Sequence, residues 1–347
     1  MPSLISTPQN ICILRLSAIG DTCHVVPVLR TLQQAWPHAR FTWVIGSLEA
    51  RLMGNLSGVE FITVDKRAGR QALVRALSAR QFDVLLHMQL ALRASLIARQ
   101  IRATVKLGFD RPRARELQWM FTNRRIAAHS REHVMDSFFG FAAALGVHER
   151  VLRWDLPIPE DAAETATKLI PEGIRTLIIS PCSSHALRNW SAERYAALAD
   201  YASQVHGLQV LLCGGPSSLE REMGAAILRH ARGPISNRIG ADTLPQLLAL
   251  LSRASVLLSP DSGPVHMATT VGTPVIGLYA ATNPARTGPY FSRNWCVDAY
   301  GQAAQRFLGR SAEQLAWTTK IEVPGVMDLI EVSQVTAKLD ALLGSRS

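Results

Sequence analysis

The residues best suited to chemistry form a run of ten, 259–268, with the sequence SPDSGPVHMA. The run follows an apolar segment, 254–258, that is typical of a buried parallel strand, and it leads into a short apolar helix. Ser262, Gly263 and Pro264 are predicted to begin that helix, because proline suits the first helical turn. Backbone N–H groups at a helix start bind phosphate, so the run predicts a site for a diphosphate.

Two ionisable side chains belong to this predicted helix start. His266 lies one turn into the helix, on the side from which it could reach a phosphate. Asp261 is an anion and cannot cradle phosphate, so we expect it to have a structural or ribose-contacting role. The alternative interpretation of the run is a capped helix with a histidine in the core.

A second polar loop, 180–190, follows the first predicted strand in the same half of the chain. Its hydroxyls at Ser183 and Ser184 can donate to phosphate oxygens, and Arg188 can stabilise the negative charge on a departing diphosphate. Carboxyl ends of parallel strands meet at one edge of a sheet, so both loops can face one ligand. The alternative is an arginine on an ordinary polar loop, and we expect Trp190 to pack at the entry of the next helix.

A carboxylate stands at a third strand end, near the N-terminus. Strand-like residues 11–16 precede Ser-Ala-Ile-Gly and then Asp21, and an amphipathic helix is predicted over 22–36. The segment lacks a GxGxxG pattern, so it does not predict a dinucleotide site. Asp21 lies at the predicted helix start, where a carboxylate is electrostatically favoured, and a cap alone would explain it.

Strands alternate with helices along the chain, which predicts α/β architecture with parallel sheets and right-handed crossovers. A proline-marked stretch, 154–160, suits an interdomain linker. We therefore predict an N-terminal Rossmann-like domain over 1–155 and a C-terminal one over 156–330, the two facing across a cleft. The second domain is expected to carry the nucleotide.

The chain has 347 residues, 48% of them hydrophobic, and a formal net charge of +10, which favours an anionic partner. Cations are concentrated over 93–131. This segment is either a solvated helical surface or an electropositive wall for an acidic acceptor or anionic lipid headgroups. Few aromatic residues interleave with these cations, so we expect no nucleic-acid partner.

Five scattered cysteines predict neither a disulfide framework nor a CxxC metal site, and they fit a reducing cytoplasm. No run of eighteen apolar residues occurs, and the N-terminus has no basic region of the signal-peptide kind. We expect a cytoplasmic protein that is peripheral, at most, to a membrane.

Five short motifs occur in a fixed order: LSAIGD at 16–21, RNW at 188–190, GGP at 214–216, DSGPVH at 261–266 and YAATNP at 279–284. Together they resemble the bacterial heptosyltransferases of glycosyltransferase family nine, and the resemblance spans almost the whole chain. It implies a GT-B fold and inverting transfer of heptose from ADP-L-glycero-D-manno-heptose to a lipopolysaccharide inner-core acceptor. The reaction would take place at the inner face of the bacterial inner membrane, with peripheral membrane contact.

The resemblance also implies residue roles. Asp21 matches the family's catalytic carboxylate, the general base for the acceptor hydroxyl. Arg188 stands where the family commonly has a lysine, and with it Ser183, Ser184, Ser262, Gly263 and His266 match diphosphate-contacting positions. Adenine and ribose contacts are expected from the loops after Gly214 and at 239–243. The C-terminal helix, within 331–347, is expected to pack back on the N-terminal domain.

Acceptor contacts are assigned to cations of the first domain. Arg115 lies where type I family members use an arginine for the acceptor, and Arg111, Arg113 and Lys66 are further candidates. The region after Val64 is shorter than in those enzymes, which leaves Kdo, the first heptose and an outer-core sugar open as acceptors. The chain has no Asp-x-Asp triplet, so we expect neither a metal nor another cofactor.

Two other functions stay open from the sequence. One is a GT-B transferase that uses a UDP- or GDP-sugar, which would share the phosphate loops. The other is a non-enzymatic protein that binds anions or lipid on the same scaffold. The presence of Asp21, Arg188 and His266 together favours an enzyme, although fold alone decides no function.

Overall fold

The computed structural model describes residues 7–65 and 70–345. The chain forms two compact units, Met1–Pro157 and Ile158–Ser347, whereas we had placed the boundary after residue 155. In the described ranges, no helix has the length and apolar character that crossing a membrane requires.

The first unit alternates strands and helices, as predicted. Its elements are β1 (Asn10–Leu14), α1 (Ile19–Ala35), β2 (Arg40–Gly46), α2 (Ser47–Met53), β3 (Val59–Val64), α3 (Arg70–Ser78), β4 (Gln81–His87), α4 (Leu92–Ala98), β5 (Arg102–Gly108), β6 (Arg124–Arg125) and α5 (Val134–Ala144).

The six strands of the first unit form one parallel sheet in the order β3-β2-β1-β4-β5-β6. This is the order of a Rossmann sheet. Its central strand β1 is apolar at nearly every position, and Ile11 pairs with Phe41 on one side and Val84 on the other. Continuous apolar strands of this kind occur where helices cover both faces of a parallel sheet.

The second unit repeats this alternation. Its elements are α6 (Glu160–Leu169), β7 (Thr176–Ile179), α7 (Ala192–His206), β8 (Gln209–Leu212), α8 (Ser218–His230), β9 (Ser236–Asn237), α9 (Leu244–Arg253), β10 (Val256–Pro260), α10 (Gly263–Thr270), β11 (Val275–Tyr279), α11 (Pro284–Thr287), β12 (Val297–Asp298), α12 (Tyr300–Leu308) and α13 (Val332–Gly344).

The second sheet is also parallel, in the order β12-β11-β10-β7-β8-β9. When the strands are numbered from the start of each unit, the two sheets have the same strand order. In both sheets the strand order reverses at the centre. The first three strands of each unit extend the sheet to one side, and the next three extend it to the other, so the reversal lies between β1 and β4 in one sheet and between β7 and β10 in the other. Ligands of open α/β sheets bind at the carboxyl ends of the strands at such a reversal.

The C-terminal helix α13 lies in the second unit. Its side chains Val335, Leu339, Leu342 and Leu343 are buried in the core that α7 and the second sheet form. The apolar face of α13 thus covers one side of the second sheet, and a sheet must bury that side against another element. Packing of this helix on the N-terminal domain stays a prediction.

Trp190 packs within this core. Its side chain is fully buried, its ring meets Tyr195 edge to face with centroids 5.3 Å apart, and its indole N–H donates to the Ile330 carbonyl at 2.9 Å. Trp190 therefore packs at the entry of α7, as expected, and it also fixes the chain that leads into α13.

We predict that Trp190→Ala destabilises the second unit by about 3–5 kcal/mol, because a buried aromatic side chain and its hydrogen bond are lost together. Urea unfolding followed by circular dichroism measures the change. Trp119→Ala removes a tryptophan that is 41% exposed, and it should change the free energy of unfolding by less than about 1 kcal/mol. Equal losses in the two variants would contradict this assignment.

Candidate active site

The two predicted phosphate loops lie side by side at the carboxyl edge of the second sheet. The Ser180 N–H donates to the Leu258 carbonyl at 3.0 Å, and the Ser259 hydroxyl donates to the Ser180 carbonyl at 2.9 Å. These bonds join the ends of β7 and β10, the two strands at which the sheet order reverses. The loops 180–190 and 261–264 thus share the position where an α/β sheet binds its ligand.

Helix α10 begins at Gly263, as predicted, with Pro264 in its first turn. Ser262 is the N-cap residue, but its side chain makes no capping hydrogen bond. Its hydroxyl is paired instead with the Ser259 hydroxyl at 2.8 Å. His266 is the fourth residue of the helix and is buried. A helix start that its own side chain does not cap suits an anion.

The loop after β7 is held by its own polar groups. The Ser183 N–H donates to the Asn189 side-chain carbonyl at 2.7 Å, and the Ser183 hydroxyl donates to the His185 carbonyl at 3.0 Å. Ser183 is buried, whereas Ser184 is exposed. Ser183 therefore shapes the loop, and Ser184 presents its hydroxyl at the surface.

Arg188 is oriented by two carboxylates. Its Nε and Nη2 donate to Oε1 of Glu322 at 2.7 and 2.5 Å, and its Nη1 lies 3.8 Å from Oδ2 of Asp261. The Arg188 and Asp261 side chains are each 13% exposed. The guanidinium is consequently fixed at the sheet edge, beside the start of α10.

Glu322 is a site residue that the sequence did not indicate. It lies in an extended segment without any motif, 134 residues after Arg188. The Ile321 N–H donates to the Ala281 carbonyl at 2.8 Å, and Ile321 is buried. The hydrogen bond between Ile321 and the loop after β11 positions the neighbouring Glu322 beside Arg188. Only the fold brings these residues together.

The charges around Arg188 affect one another. Burial alone would raise the pKa of Glu322, but the hydrogen bonds and charge of Arg188, with smaller effects of His185 and Lys320, lower it below its usual range. Burial, and next the Arg188 charge, lower the pKa of Lys320. Arg188 and Lys320 therefore lie near each other at this edge, together with Glu322 and Asp261. Cations so placed suit the oxygens of a diphosphate.

Asp261 also contacts α11, the helix that starts in the last of the five sequence motifs. The Thr287 hydroxyl donates to Oδ2 of Asp261 at 3.3 Å, and Asn283 caps α11 by accepting from the Ala285 N–H at 2.9 Å. Asp261 thus lies between Arg188 and Thr287. Both of its predicted roles, structural or ribose-contacting, stay predictions.

The loops predicted to hold adenine and ribose lie next to each other. The Gly240 N–H donates to the Gly214 carbonyl at 2.9 Å, and Gly240 has a φ of 77°, which favours glycine. The Glu220 carboxylate accepts from the Gly215 N–H at 2.8 Å and from the Ser217 hydroxyl at 2.7 Å. These loops follow β8 and β9, which lie one and two strands along the sheet from β7.

In the first unit, Asp21 is the third residue of α1, and Ala18 is the N-cap residue. The helix begins three residues earlier than predicted, so Asp21 is not the N-cap residue. Its carboxylate still caps the helix start, because it accepts from the Ala18 N–H at 3.5 Å. Its carboxylate forms an ion pair with Arg15, which follows β1, and its side chain remains 31% exposed. Asp21 is thus held at the strand end without being enclosed.

Arg15 is a second residue that the sequence did not single out. Its Nη1 donates to the Met88 carbonyl at 2.6 Å, and its guanidinium lies 5.2 Å from the centroid of the Phe138 ring. The Leu16 N–H donates to Gln89 Oε1 at 2.6 Å. Asp21 therefore stands where the ends of β1 and β4 meet, at the reversal of the first sheet.

A neighbouring carboxylate, Glu49, is a poorer candidate for exchanging protons with a bound substrate. Burial raises its pKa, and the charges of Arg93 and Arg15 lower it only in part. Its side chain is buried, whereas that of Asp21 is exposed to solvent. Solvent accessibility therefore favours Asp21 over Glu49 as the carboxylate that exchanges a proton with a substrate.

The predicted acceptor cations differ in their surroundings. Arg113 forms ion pairs with Asp110 and Glu132 and donates to the Ser137 hydroxyl and the Ala127 carbonyl at 2.8 and 2.9 Å. These contacts give Arg113 a structural position. Arg111 and Arg115 are exposed, and Lys66 lies outside the described residues.

Within 7–65 and 70–345, no group of three or more His, Cys, Asp or Glu side chains could hold a metal ion. The second unit thus has a cationic edge that suits a diphosphate. The first unit has an accessible carboxylate at the equivalent edge of its own sheet, and that carboxylate suits a base.

Comparison with known proteins identifies the family. The sequence model described as glycosyltransferase family 9 (heptosyltransferase) matches residues 70–316. The chain belongs to this family. The lipopolysaccharide core heptosyltransferase OpsX of Haemophilus influenzae is 40% identical over 345 residues, which is 99% of both chains. The lipopolysaccharide heptosyltransferase 1 of Pseudomonas aeruginosa is 23% identical over 308 residues, 81% of each chain. The resemblance inferred from the five motifs is confirmed.

Solved structures of family 9 enzymes share the fold. The family 9 glycosyl transferase of Veillonella parvula superposes with a TM-score of 0.80 at 22% identity over 99% of both chains. The Escherichia coli heptosyltransferase WaaC with ADP superposes with a TM-score of 0.75 at 21% identity, over 96% of this chain and 99% of that chain. The predicted GT-B fold of the chain is therefore confirmed.

We predict that Arg188→Ala weakens ADP binding by about 10- to 100-fold, because charge-assisted hydrogen bonds to phosphate are lost and Glu322 is left unpaired beside it. The double variant Arg188→Ala/Glu322→Ala should bind ADP more tightly than Arg188→Ala alone. Isothermal titration calorimetry measures both affinities. Asp340→Ala breaks an ion pair with His206 in the same unit and should leave ADP affinity unchanged. Strictly additive losses would show that Arg188 and Glu322 are not coupled.

Proposed function

We propose that this family 9 glycosyltransferase transfers heptose from ADP-heptose to an acceptor sugar of the lipopolysaccharide core, with inversion at the anomeric carbon. The observation that carries the proposal is the oriented Arg188 beside the start of α10, at the strand reversal of the second sheet. The 40% identity to a lipopolysaccharide core heptosyltransferase along the whole chain supports the sugar and the acceptor class.

In this proposal the second unit binds the donor. The first turn of α10 and the Ser184 hydroxyl bind the diphosphate oxygens, and His266 contributes from the next turn of the helix. Arg188 stabilises the charge that grows on ADP as the glycosidic bond breaks. The loops at 214–217 and 239–243 take the adenosine part. Arginine and backbone N–H groups supply the electrostatic stabilisation that a metal gives in other sugar transferases.

The first unit supplies the base. Asp21 takes the proton of the acceptor hydroxyl as that oxygen attacks the anomeric carbon and ADP leaves from the opposite face. One base is sufficient for this single displacement. Arg15, paired with Asp21, holds the carboxylate in position at the strand end.

The acceptor is proposed to be acidic, like the Kdo carboxylates and phosphates of an inner core. Arg115 and Arg111 are the exposed cations offered for it. Arg113 is a weaker candidate than the sequence suggested, because its donors are already bound within the first unit. We further propose a cytoplasmic enzyme with peripheral contact to the inner membrane. Its five cysteines are free and buried, which fits a reducing compartment.

The proposal predicts a product that gains one heptose when purified protein, ADP-heptose and defined truncated lipopolysaccharides are incubated with EDTA. Mass spectrometry of the acceptor detects the gain. UDP- and GDP-sugars should give no product. Absence of transfer to every truncated acceptor would contradict the proposed function, and loss of transfer in EDTA that magnesium restores would contradict metal independence.

Asp21→Asn should lower kcat by about 10²–10⁴-fold while ADP affinity stays near that of the native protein, since the amide keeps the shape of the side chain but cannot take a proton. Glu49→Gln removes the neighbouring buried carboxylate and should keep transfer within a few-fold of native. Native turnover by Asp21→Asn, or loss only in Glu49→Gln, would show that the base is assigned to the wrong residue.

A further inference from the structure

One surface of the first unit is apolar without belonging to the site described above. Of the twelve large apolar side chains that are exposed in the described part of the chain, five lie between residues 92 and 120. Their exposed fractions range from 40% to 61%. They are Leu92, Leu96, Leu117, Trp119 and Met120. Exposed apolar side chains that cluster, rather than occurring singly, mark an interaction surface.

Four of these residues lie on two elements that pack together, helix α4 and the 3-10 turn Gln118–Phe121, and Leu117 is the N-cap residue of that turn. Leu92 and Leu96 are four residues apart on α4 and so lie on one face of it. The Leu92 N–H donates to the Glu116 carboxylate at 2.6 Å, which ties the helix start to the turn. We call this surface the α4–turn face.

Buried Gln118 explains why its neighbours are exposed. Its side-chain amide donates to the His87 and Gln89 carbonyls at 2.8 and 3.2 Å, and its carbonyl accepts from the Phe109 N–H at 3.1 Å. A turn anchored by its one inward polar residue directs the adjacent Leu117, Trp119 and Met120 away from the core. The exposure is therefore built into the turn.

Cations accompany the apolar residues. The Arg111 guanidinium stacks over the Trp119 ring, 3.7 Å from its centroid. Arg99 and Lys106 line a groove of about 470 Å³ together with Met120 and Phe121. Lys106 Nζ donates to the Ala98 carbonyl at 3.1 Å, which leaves further N–H donors of the ammonium for an anion in the groove.

We infer that the α4–turn face docks on an anionic lipid bilayer. Surfaces that bind at a membrane interface combine tryptophan, leucine and methionine with arginine. The apolar side chains reach the acyl boundary, and the cations lie among the headgroups. The groove of Arg99 and Lys106 suits a headgroup phosphate. A second copy of the chain fits less well, because a self-complementary contact would bring Arg99, Lys106 and Arg111 against like charges.

The inference rests on the proposed function, in which the acceptor is carried by a lipid. It identifies the part of the first unit that would meet the lipid. It also gives a use to the cations of 93–131 that the acceptor sugar does not need.

The test is cosedimentation with phosphatidylcholine vesicles prepared with and without phosphatidylglycerol. The native protein should sediment only with the anionic vesicles, and less so as ionic strength rises. Trp119→Ser/Met120→Ser should weaken vesicle binding about tenfold, and Arg99→Gln should weaken it several-fold, since apolar insertion and charge act together. Transfer to a delipidated core acceptor should stay native in Arg99→Gln, which changes no residue assigned to the acceptor.

Matched controls come from exposed residues of the second unit. Phe291→Ser/Leu228→Ser removes an exposed aromatic and an exposed aliphatic side chain, and Arg229→Gln removes an exposed cation. These control variants should bind vesicles like the native protein.

The inference would be overturned if the native protein did not bind anionic vesicles. It would also be overturned if the variants of the α4–turn face bound vesicles as tightly as the controls. A concentration-dependent dimer that Trp119→Ser/Met120→Ser abolishes would also overturn it in favour of a second copy. If the native protein binds vesicles but transfers no heptose, the proposed function fails and the docking face stands.

Discussion

The ion pairs of Arg188 with Glu322 and Asp261 are the constraint on which the donor site depends. A largely buried guanidinium is stable only where carboxylates or hydrogen-bond acceptors satisfy it. Glu322 and Asp261 meet this need, and they come from different segments: the extended chain before α13 and the loop after β10. Their convergence fixes the cation next to the start of α10. In the proposed function, a diphosphate would meet a guanidinium that is already oriented, which limits the ordering that binding requires.

The two units use the same physical solution twice. Each is a six-stranded parallel sheet with one strand order, and each carries its candidate residues where that order reverses. Asp21 and Arg15 follow or flank the end of β1, and the loops of Ser184 and Ser262 follow β7 and β10. The difference lies in the charge: the first edge presents an accessible carboxylate, and the second presents cations and a helix start.

Much of the fold followed from the sequence, because long apolar strands and capped helices are local signals. Helix α10 begins at Gly263 with Pro264 in its first turn, and Trp190 packs at the entry of α7, both as predicted. Helix α1 was predicted to begin at residue 22 but begins at Ile19, because Ile19 and Gly20 were assigned to the preceding loop. Motif order indicated Asp21, Arg188 and the start of α10. Glu322 could not be found in this way, because its pairing with Arg188 depends on a long-range contact between Ile321 and Ala281.

Binding of the diphosphate at the strand reversal of the second sheet can be tested by hydrogen exchange with and without ADP. We expect slower exchange on ADP addition at the amides of 183–189 and 262–266. Exchange in α5 of the first unit should stay unchanged. Unchanged exchange at 262–266, or protection confined to other segments, would show that the diphosphate binds elsewhere.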